Sequence, residues 1–224
     1  MNDKFFTISR QNMVNNQIIT NKVINPELIN AFLLVKKEKF VPKEKSAIVY
    51  SDCDIEFSND RFLMKTFILA KIIEFSKVTA NDSILVIGCL TGYSVAILSK
   101  ISGYVFGIEN ENETVKKANK NLSDISCHNC SVSFSKLSDG LKKNCPFDKI
   151  IIEGAVENIP SKIIEQIKDG GEIFSIFKND NSSVGQFMVG LKVDGQISYR
   201  HLFDANAKIL NDFKKEKNEF SFKE

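Results

Sequence analysis

The segment Ile84-Leu85-Val86-Ile87-Gly88-Cys89-Leu90-Thr91-Gly92-Tyr93 runs from an unbroken aliphatic stretch into a turn carrying two glycines. A short, continuous apolar run reads as a strand buried on both faces, and the residues after the turn, Ser94 to Ile101, read as a helix. Glycine in such a turn lets a ligand press against bare backbone, and the helix that follows offers unpaired N–H groups at its start. Strand-to-helix turns also use glycine for structural reasons alone, so this segment by itself is a weak sign of binding.

The same alternation continues downstream. Tyr104 to Ile108 reads as a strand, Glu113 to Leu122 as a helix, and Ser131 to Ser135, Lys149 to Glu153 and Glu172 to Phe177 as further strands. Pro160 to Lys168 reads as a helix closed by Gly170-Gly171. Apolar runs alternating with helices predict an α/β fold, a mostly parallel sheet with helices on each side. Two alternating runs around Asp194-Gly195, Val184 to Val193 and Ile197 to Phe203, predict a closing antiparallel hairpin.

Upstream the chain reads as helical. Met13, Ile18 and Ile19 lie at helical spacing, and a second helix starts with Asn25 as N-cap and Pro26 in its first turn. Its apolar face is Leu28, Ile29, Phe32, Leu33 and Val35, and Phe40-Val41-Pro42 ends it. Val49 to Asp60, with Asp52, Asp54, Asn59 and Asp60, reads as loop, and Leu63 to Phe75 as a third helix. The expected organisation is one compact domain, with an N-terminal helical and loop extension over 1–80 and a core over 81–224.

A second feature gives the glycine turn a purpose. Glu109 ends the second strand about 20 residues beyond it, where an acidic residue meets ribose hydroxyls in nucleotide-binding α/β folds. A carboxylate can accept from both hydroxyls of a ribose. The bland alternative is an exposed glutamate beside Asn110 and Glu111 at the start of the next helix; turn, strand and acid together favour ligand binding.

Composition narrows the classes. Hydrophobic residues make up 43% and charged residues 26%, which suits an ordinary globular core. A net charge of +2 with lysines spread along the chain shows no basic stripe, so nucleic acid is not an expected partner. No stretch approaches the roughly 20 apolar residues that span a bilayer, so no membrane partner is expected either. Met1 to Arg10 lacks the apolar core of a signal peptide, and the five cysteines form no disulfide framework; the cytoplasm is the expected compartment. Cys127-His128-Asn129-Cys130 has the spacing of a redox or half-zinc motif but no second ligand pair, so no metal is expected. His128 and His201 read as structural or exposed. The tail from Phe213 to Phe222 is expected to pack back on the sheet through its phenylalanines.

Several short segments in order resemble the protein-L-isoaspartate O-methyltransferase family over nearly the full chain. Arg10-Gln11-Asn12-Met13-Val14 with Gln17-Ile18 is similar to the family's opening helix. Val35-Lys36-Lys37-Glu38-Lys39-Phe40-Val41-Pro42 resembles its valine-proline-arginine-glutamate-x-phenylalanine-valine-proline signature, with Lys36 and Lys37 in place of proline and arginine. The Gly88 turn, Glu109, Pro146 to Ile151, Ile159-Pro160 and Gly170-Gly171 follow in the family's order. The resemblance implies a Rossmann-like class I methyltransferase fold with a seven-stranded sheet. It also implies S-adenosyl-L-methionine as cofactor and an isoaspartyl carboxylate in a damaged protein or peptide, or a related small acceptor, as substrate. Gly88, Cys89, Thr91, Gly92, Tyr93, Glu109 and Asn110 are then the expected cofactor contacts.

The chain departs from the family at defined places. Val86 stands where the family has an acidic residue, Leu90 replaces the middle glycine of the turn, and Lys136-Leu137 replaces a glycine-aspartate pair near the adenine. Asp139, two residues on, is the candidate substitute. The substrate-loop threonine-isoleucine-serine aligns with Phe62-Leu63-Met64, and Met64 cannot donate a hydrogen bond. Ser58 reaches the site if the loop folds back, and Arg61, whose fork matches two oxygens, is a candidate carboxylate partner. Glu153 closes the fourth strand where the family tends to have a small hydroxyl residue; as a carboxylate it is expected to stabilise a sulfonium or act as a base, and to repel an isoaspartyl carboxylate. Ser58, Arg61 and Glu153 are the candidate catalytic residues. The alternative function is a non-catalytic binding or interaction protein that keeps the fold.

Overall fold

The computed structural model describes residues 3–58 and 60–215 of the 224-residue chain. Helix α1 (Asp3–Met13) continues through a π-helical turn, Val14–Ile18, and a 3-10 turn, Ile19–Asn21. Helix α2 (Pro26–Leu34) begins as its residues dictate: Asn25 Oδ1 accepts the N–H of Glu27 at 2.9 Å and of Leu28 at 3.2 Å. It stops earlier than expected, because Val35 is already extended. Phe40-Val41-Pro42 lies instead between 3-10 turns over Lys37–Lys39 and Lys43–Ile48.

The expected loop from Val49 to Asp60 contains a strand. β1 (Ile55–Ser58) pairs antiparallel with β2 (Arg61–Leu63), and α3 (Thr66–Ser76) starts three residues after Leu63. Ile55 and Phe57 turn inward while Glu56 and Ser58 stay exposed, a half-buried alternation that the surrounding aspartates mask in the sequence.

The remainder is the expected sheet. Its elements are β3 (Ser83–Ile87), α4 (Tyr93–Leu98), β4 (Tyr104–Glu109), α5 (Asn112–Asp124), β5 (Cys130–Phe134), β6 (Phe147–Val156), α6 (Ser161–Ile164), β7 (Ile167–Phe177), β8 (Gly185–Val193) and β9 (Gln196–Ala205). The seven strands run in the order β5-β4-β3-β6-β7-β8-β9, parallel from β5 to β7 and antiparallel through β8 and β9. Asp194 and Gly195 both adopt positive φ, +49° and +74°, the twist a two-residue hairpin needs. The helix expected over Pro160 to Lys168 is shorter, because Ile167–Gly171 already belongs to β7. A Cβ on Gly171 would lie 2.8 Å from the Asp148 carbonyl oxygen, so this glycine serves the close approach of β7 to β6 rather than a helix stop.

Both faces of the sheet are buried. Along β3, Ile84 and Val86 join one apolar cluster, and Leu85 and Ile87 the other. Each such side chain contributes roughly 1.5–3 kcal/mol of burial. The N-terminal segment closes one face, where Phe32 and Phe40 pack on Tyr93 at ring distances of 6.3 and 5.7 Å. Beyond β9 the chain turns back over the sheet edge: Ala155 N–H donates to Lys208 O at 2.8 Å, and Leu210 N–H to Ala155 O at 2.9 Å. Phe213 is buried in that return, and 216–222 of the expected tail lie outside the described residues. Among the described residues no helix is long and apolar enough to cross a membrane.

Candidate active site

β3 and β4 end together at one edge, the edge where ligands dock in open α/β sheets, and β6 passes it: Glu153, expected to close its strand, lies inside β6, which runs on to Val156. Gly88 follows β3, Glu109 closes β4, and Glu153 sits in β6 immediately past its last pairing with β3, Ile87↔Ile152. The register of β6 against β7 shifts between Ile151 and Ala155, an irregularity of the kind that re-aims a side chain beside a site. The turn after β3 alternates left-handed residues: Gly88 at φ +81°, Leu90 at +49° and Gly92 at +90°. Left-handed backbone costs a residue with a Cβ roughly 1–2 kcal/mol, so Leu90 holds its place under strain.

Glu109 is fully buried at this turn and held from every side. Arg61 Nη2 donates to its Oε1 at 2.5 Å and Arg61 Nη1 to its Oε2 at 2.7 Å. The Leu90 N–H donates to Oε1 at 2.6 Å, and the Asn110 N–H to Oε2 at 3.3 Å. Arg61 Nη2 also donates to Gly88 O at 3.1 Å. The arginine read from sequence as an acceptor's partner is therefore turned onto the acid that ends β4.

A cavity of about 450 Å³ opens over this pair, a size that suits a nucleoside-bearing ligand. Of the expected residues, Ser58, Arg61, Thr91, Glu109 and Asn110 line it. The β1–β2 hairpin brings Ser58 there, pairing it with Arg61 across the turn. The Thr91 hydroxyl donates to Phe40 O, which fastens the glycine turn to the N-terminal segment. Gly88 and Gly92 shape the turn, Gly92 backing onto Leu122 and Ala118 of α5.

Three expected contacts lie elsewhere. Cys89 points beneath the sheet against Gly107, fully buried, and burial raises its thiol well above the usual range. Tyr93 is packed among Phe32 and Phe40, its hydroxyl without a partner. Asp139 pairs with Lys162 on the half-exposed flank of the sheet. Asp212 arrives at the Lys136-Leu137 turn instead and accepts the Leu137 N–H at 2.8 Å, a contact between residues 75 positions apart that no local pattern announces. The sequence reading also missed Glu111, Thr114 and Lys117, which line the cavity. Their spacing of three across the start of α5 is the signal that could have found them.

Glu153 lies on the other side of Gly88. It borders a narrow gap shared with Met64, Phe62, Asp60, Lys208 and Leu210, and its Oε1 has no hydrogen-bond partner. Burial pushes its carboxyl up to about 8; the nearby Ser94 hydroxyl pulls the other way, and the charge of Glu109 adds to the rise. At neutral pH the group is therefore a neutral acid, and the expected repulsion of an acceptor carboxylate is absent. A carboxylic acid there can donate a hydrogen bond. His128 is exposed, and His201 meets Asp204 at 3.0 Å on the surface. Cys127 and Cys130 are half-buried, share a hydrogen bond and form no disulfide.

The sequence profile of the protein-L-isoaspartate(D-aspartate) O-methyltransferase family matches residues 8–202. A protein-L-isoaspartate O-methyltransferase 2 from Shewanella sediminis is 29% identical over 186 residues, covering 83% of this chain and 76% of that one. A protein-L-isoaspartate O-methyltransferase from Geobacter metallireducens is 29% identical over 168 residues, covering 75% and 78%. Among solved structures, a protein-L-isoaspartate O-methyltransferase superposes with a TM-score of 0.78 at 18% identity, covering 90% of this chain and 65% of that one. A β-aspartate methyltransferase from Plasmodium falciparum, solved with S-adenosyl-L-homocysteine, superposes with a TM-score of 0.75 at 16% identity, covering 92% and 98%. At these identities the structural matches establish the shared fold, that of the class I methyltransferases.

Proposed function

The chain belongs to the protein-L-isoaspartate(D-aspartate) O-methyltransferase family, and from that membership we propose how its own residues carry a methyl transfer from S-adenosyl-L-methionine to a carboxylate. It is an S-adenosyl-L-methionine-dependent methyltransferase whose expected acceptor is an isoaspartyl residue of a damaged protein. The comparisons give the non-catalytic alternative no support. The observation that carries the site assignment is convergence: the turn from Gly88 to Gly92 and the carboxylate of Glu109 meet at one cavity of about 450 Å³ on the sheet's ligand-binding edge.

The residues present fit the cofactor in place and in chemistry. Glu109 stands where a ribose diol would be accepted, and the left-handed turn at Gly88, beneath the Arg61 guanidinium, is the backbone that would face the amino-acid end. Leu90, Thr91, Asn110 and Thr114 wall the nucleoside side. Bound there, S-adenosyl-L-methionine supplies an electrophilic methyl group on a sulfonium, open to displacement in line. The chain's task is then alignment. An acceptor carboxylate, with a reference pKa of about 4, is ionised at neutral pH and needs no base. Holding it on line is worth an effective molarity that can reach roughly 10⁵ M or more.

Met64 offers no hydroxyl for that purpose, so the donors must come from elsewhere. Ser58 on the hairpin, the Arg61 guanidinium and the protonated Glu153 flank the same edge, and each can donate to a carboxylate oxygen. We assign them to acceptor positioning. The five unpaired cysteines suit a reducing compartment, which favours the cytoplasm. The test is transfer of tritiated methyl from S-adenosyl-L-methionine to an isoaspartyl peptide, with the aspartyl isomer as control. Label on the isoaspartyl peptide alone supports the assignment; label on neither removes this acceptor.

A further inference from the structure

Glu109 cannot keep all the partners it has here and also hold a ribose. A carboxylate has about four lone-pair positions. Two are taken by Arg61 and two by the backbone N–H groups of Leu90 and Asn110. The backbone donors are fixed by the turn and by the end of β4. The guanidinium comes from a side chain on a two-stranded hairpin, so its two bonds are the exchangeable ones. The same Arg61 covers the turn as well as the acid: Nη2 lies 3.1 Å from Gly88 O, and a Cβ built on Gly88 would come within 3.4 Å of it. Its hairpin is anchored in the core by Ile55 and Leu63, while its tip is tethered by exchangeable contacts, Asn211 Nδ2 to Asp60 Oδ2 at 2.9 Å and the Lys208 ammonium 5.3 Å from the centre of the Phe62 ring.

Resting on the assignment of this crevice as the donor site, we propose that Arg61 is a latch: its guanidinium competes with the donor's ribose diol for Glu109, and once displaced it is presented to the acceptor's carboxylate. One guanidinium thereby serves two carboxylates in turn, through the bidentate geometry that both offer. Donor and acceptor binding become coupled, and the coupling is reciprocal: a donor that frees Arg61 strengthens acceptor binding, and a bound acceptor strengthens donor binding by the same factor. Arg61 is a binding and positioning residue in this scheme; no bond forms or breaks on it.

S-adenosyl-L-homocysteine is the probe, titrated calorimetrically into wild type, Arg61→Ala and Arg61→Gln. Removing the competitor is expected to tighten binding at least tenfold in both variants; equal or weaker binding overturns the latch. Wild type alone supplies a second readout, through modification of Arg61 by phenylglyoxal followed by mass spectrometry. Adding S-adenosyl-L-homocysteine should speed modification at Arg61 several-fold, and protection or no change overturns the latch without any variant having to fold. An isoaspartyl peptide should bind wild type at least tenfold more tightly with S-adenosyl-L-homocysteine present, and Arg61→Gln should lose that dependence. Peptide binding indifferent to S-adenosyl-L-homocysteine overturns the acceptor half. If neither wild type nor the variants bind the probe at millimolar concentration, the donor-site assignment falls together with the latch. If wild type binds and the variants bind no more tightly, only the latch falls.

Discussion

Glu153 changes meaning between its place in the sequence and its place in the fold. At a strand end it reads as a charged group that would drive an acidic acceptor away. Buried, with one oxygen unpartnered, it holds its proton up to about 8. Because the folded protein binds this proton more tightly than the unfolded chain does, the neutral group's contribution to stability is fully present below the ordinary carboxylate range. It is lost as pH rises towards 8. Urea unfolding at pH 5, 6.5 and 8 should show wild type weakening relative to Glu153→Gln over that span; parallel curves would remove Glu153 as the buried acid. Leu90 is the second residue whose role the fold supplies. Leu90→Gly relieves roughly 1–2 kcal/mol of left-handed strain but gives up a buried side chain of roughly 1.5–3 kcal/mol. Stability should therefore move by no more than about 2 kcal/mol, whereas S-adenosyl-L-homocysteine binding should tighten as the backbone opens. A thermal melt and a titration on the same variant separate the two effects.

Among the elements, those with a strong single signal were legible and those with a mixed one were not. The Asn25-Pro26 start of α2 and the strand before Gly88 follow from local chemistry, and the structure places them as read. Asn25→Ala should cost about 1 kcal/mol in urea unfolding, since one oxygen satisfies two first-turn N–H groups. The β1–β2 hairpin was hidden because its alternation spans only four residues amid aspartates, and it is this element that carries Ser58 and Arg61 to the cavity. The glycine pair after α6 misled in the other direction: Gly171 is needed for the close approach of β7 to β6, and Gly170 for a left-handed turn at φ +79°, inside a strand rather than at a helix stop. Cutting the tether with Asp60→Ala should leave the global melt almost unchanged while raising hydrogen exchange over β1 and β2. Exchange confined to the sheet edge instead would mean that Asn211 does not hold the hairpin.

For the molecule as a whole, the order of short apolar runs and turns was enough to give a mostly parallel sheet with an antiparallel end, because runs too short for helices, alternating with helical segments, suit strands buried on both faces. Two parts of the candidate site, the turn at Gly88 and the acid at Glu109, have positions that were readable from that frame, since both follow from where strands end. What was not readable depends on long-range contacts: Arg61 meets Glu109 across 48 positions, and Asp212 meets Leu137 across 75. Tyr93 and Cys89, adjacent to the turn in sequence, lie in the core, one against Phe32 and Phe40 from the N-terminal segment and the other against Gly107 of β4, contacts that the local sequence does not announce. The most direct measurement is equilibrium dialysis of tritiated S-adenosyl-L-methionine against wild type and Glu109→Ala. Saturable binding of one molecule per chain in wild type, at least tenfold weaker in the variant, is expected. Binding that is absent from wild type, or that is indifferent to the loss of Glu109, would contradict the crevice between the Gly88 turn and Glu109 as the seat of the methyl donor.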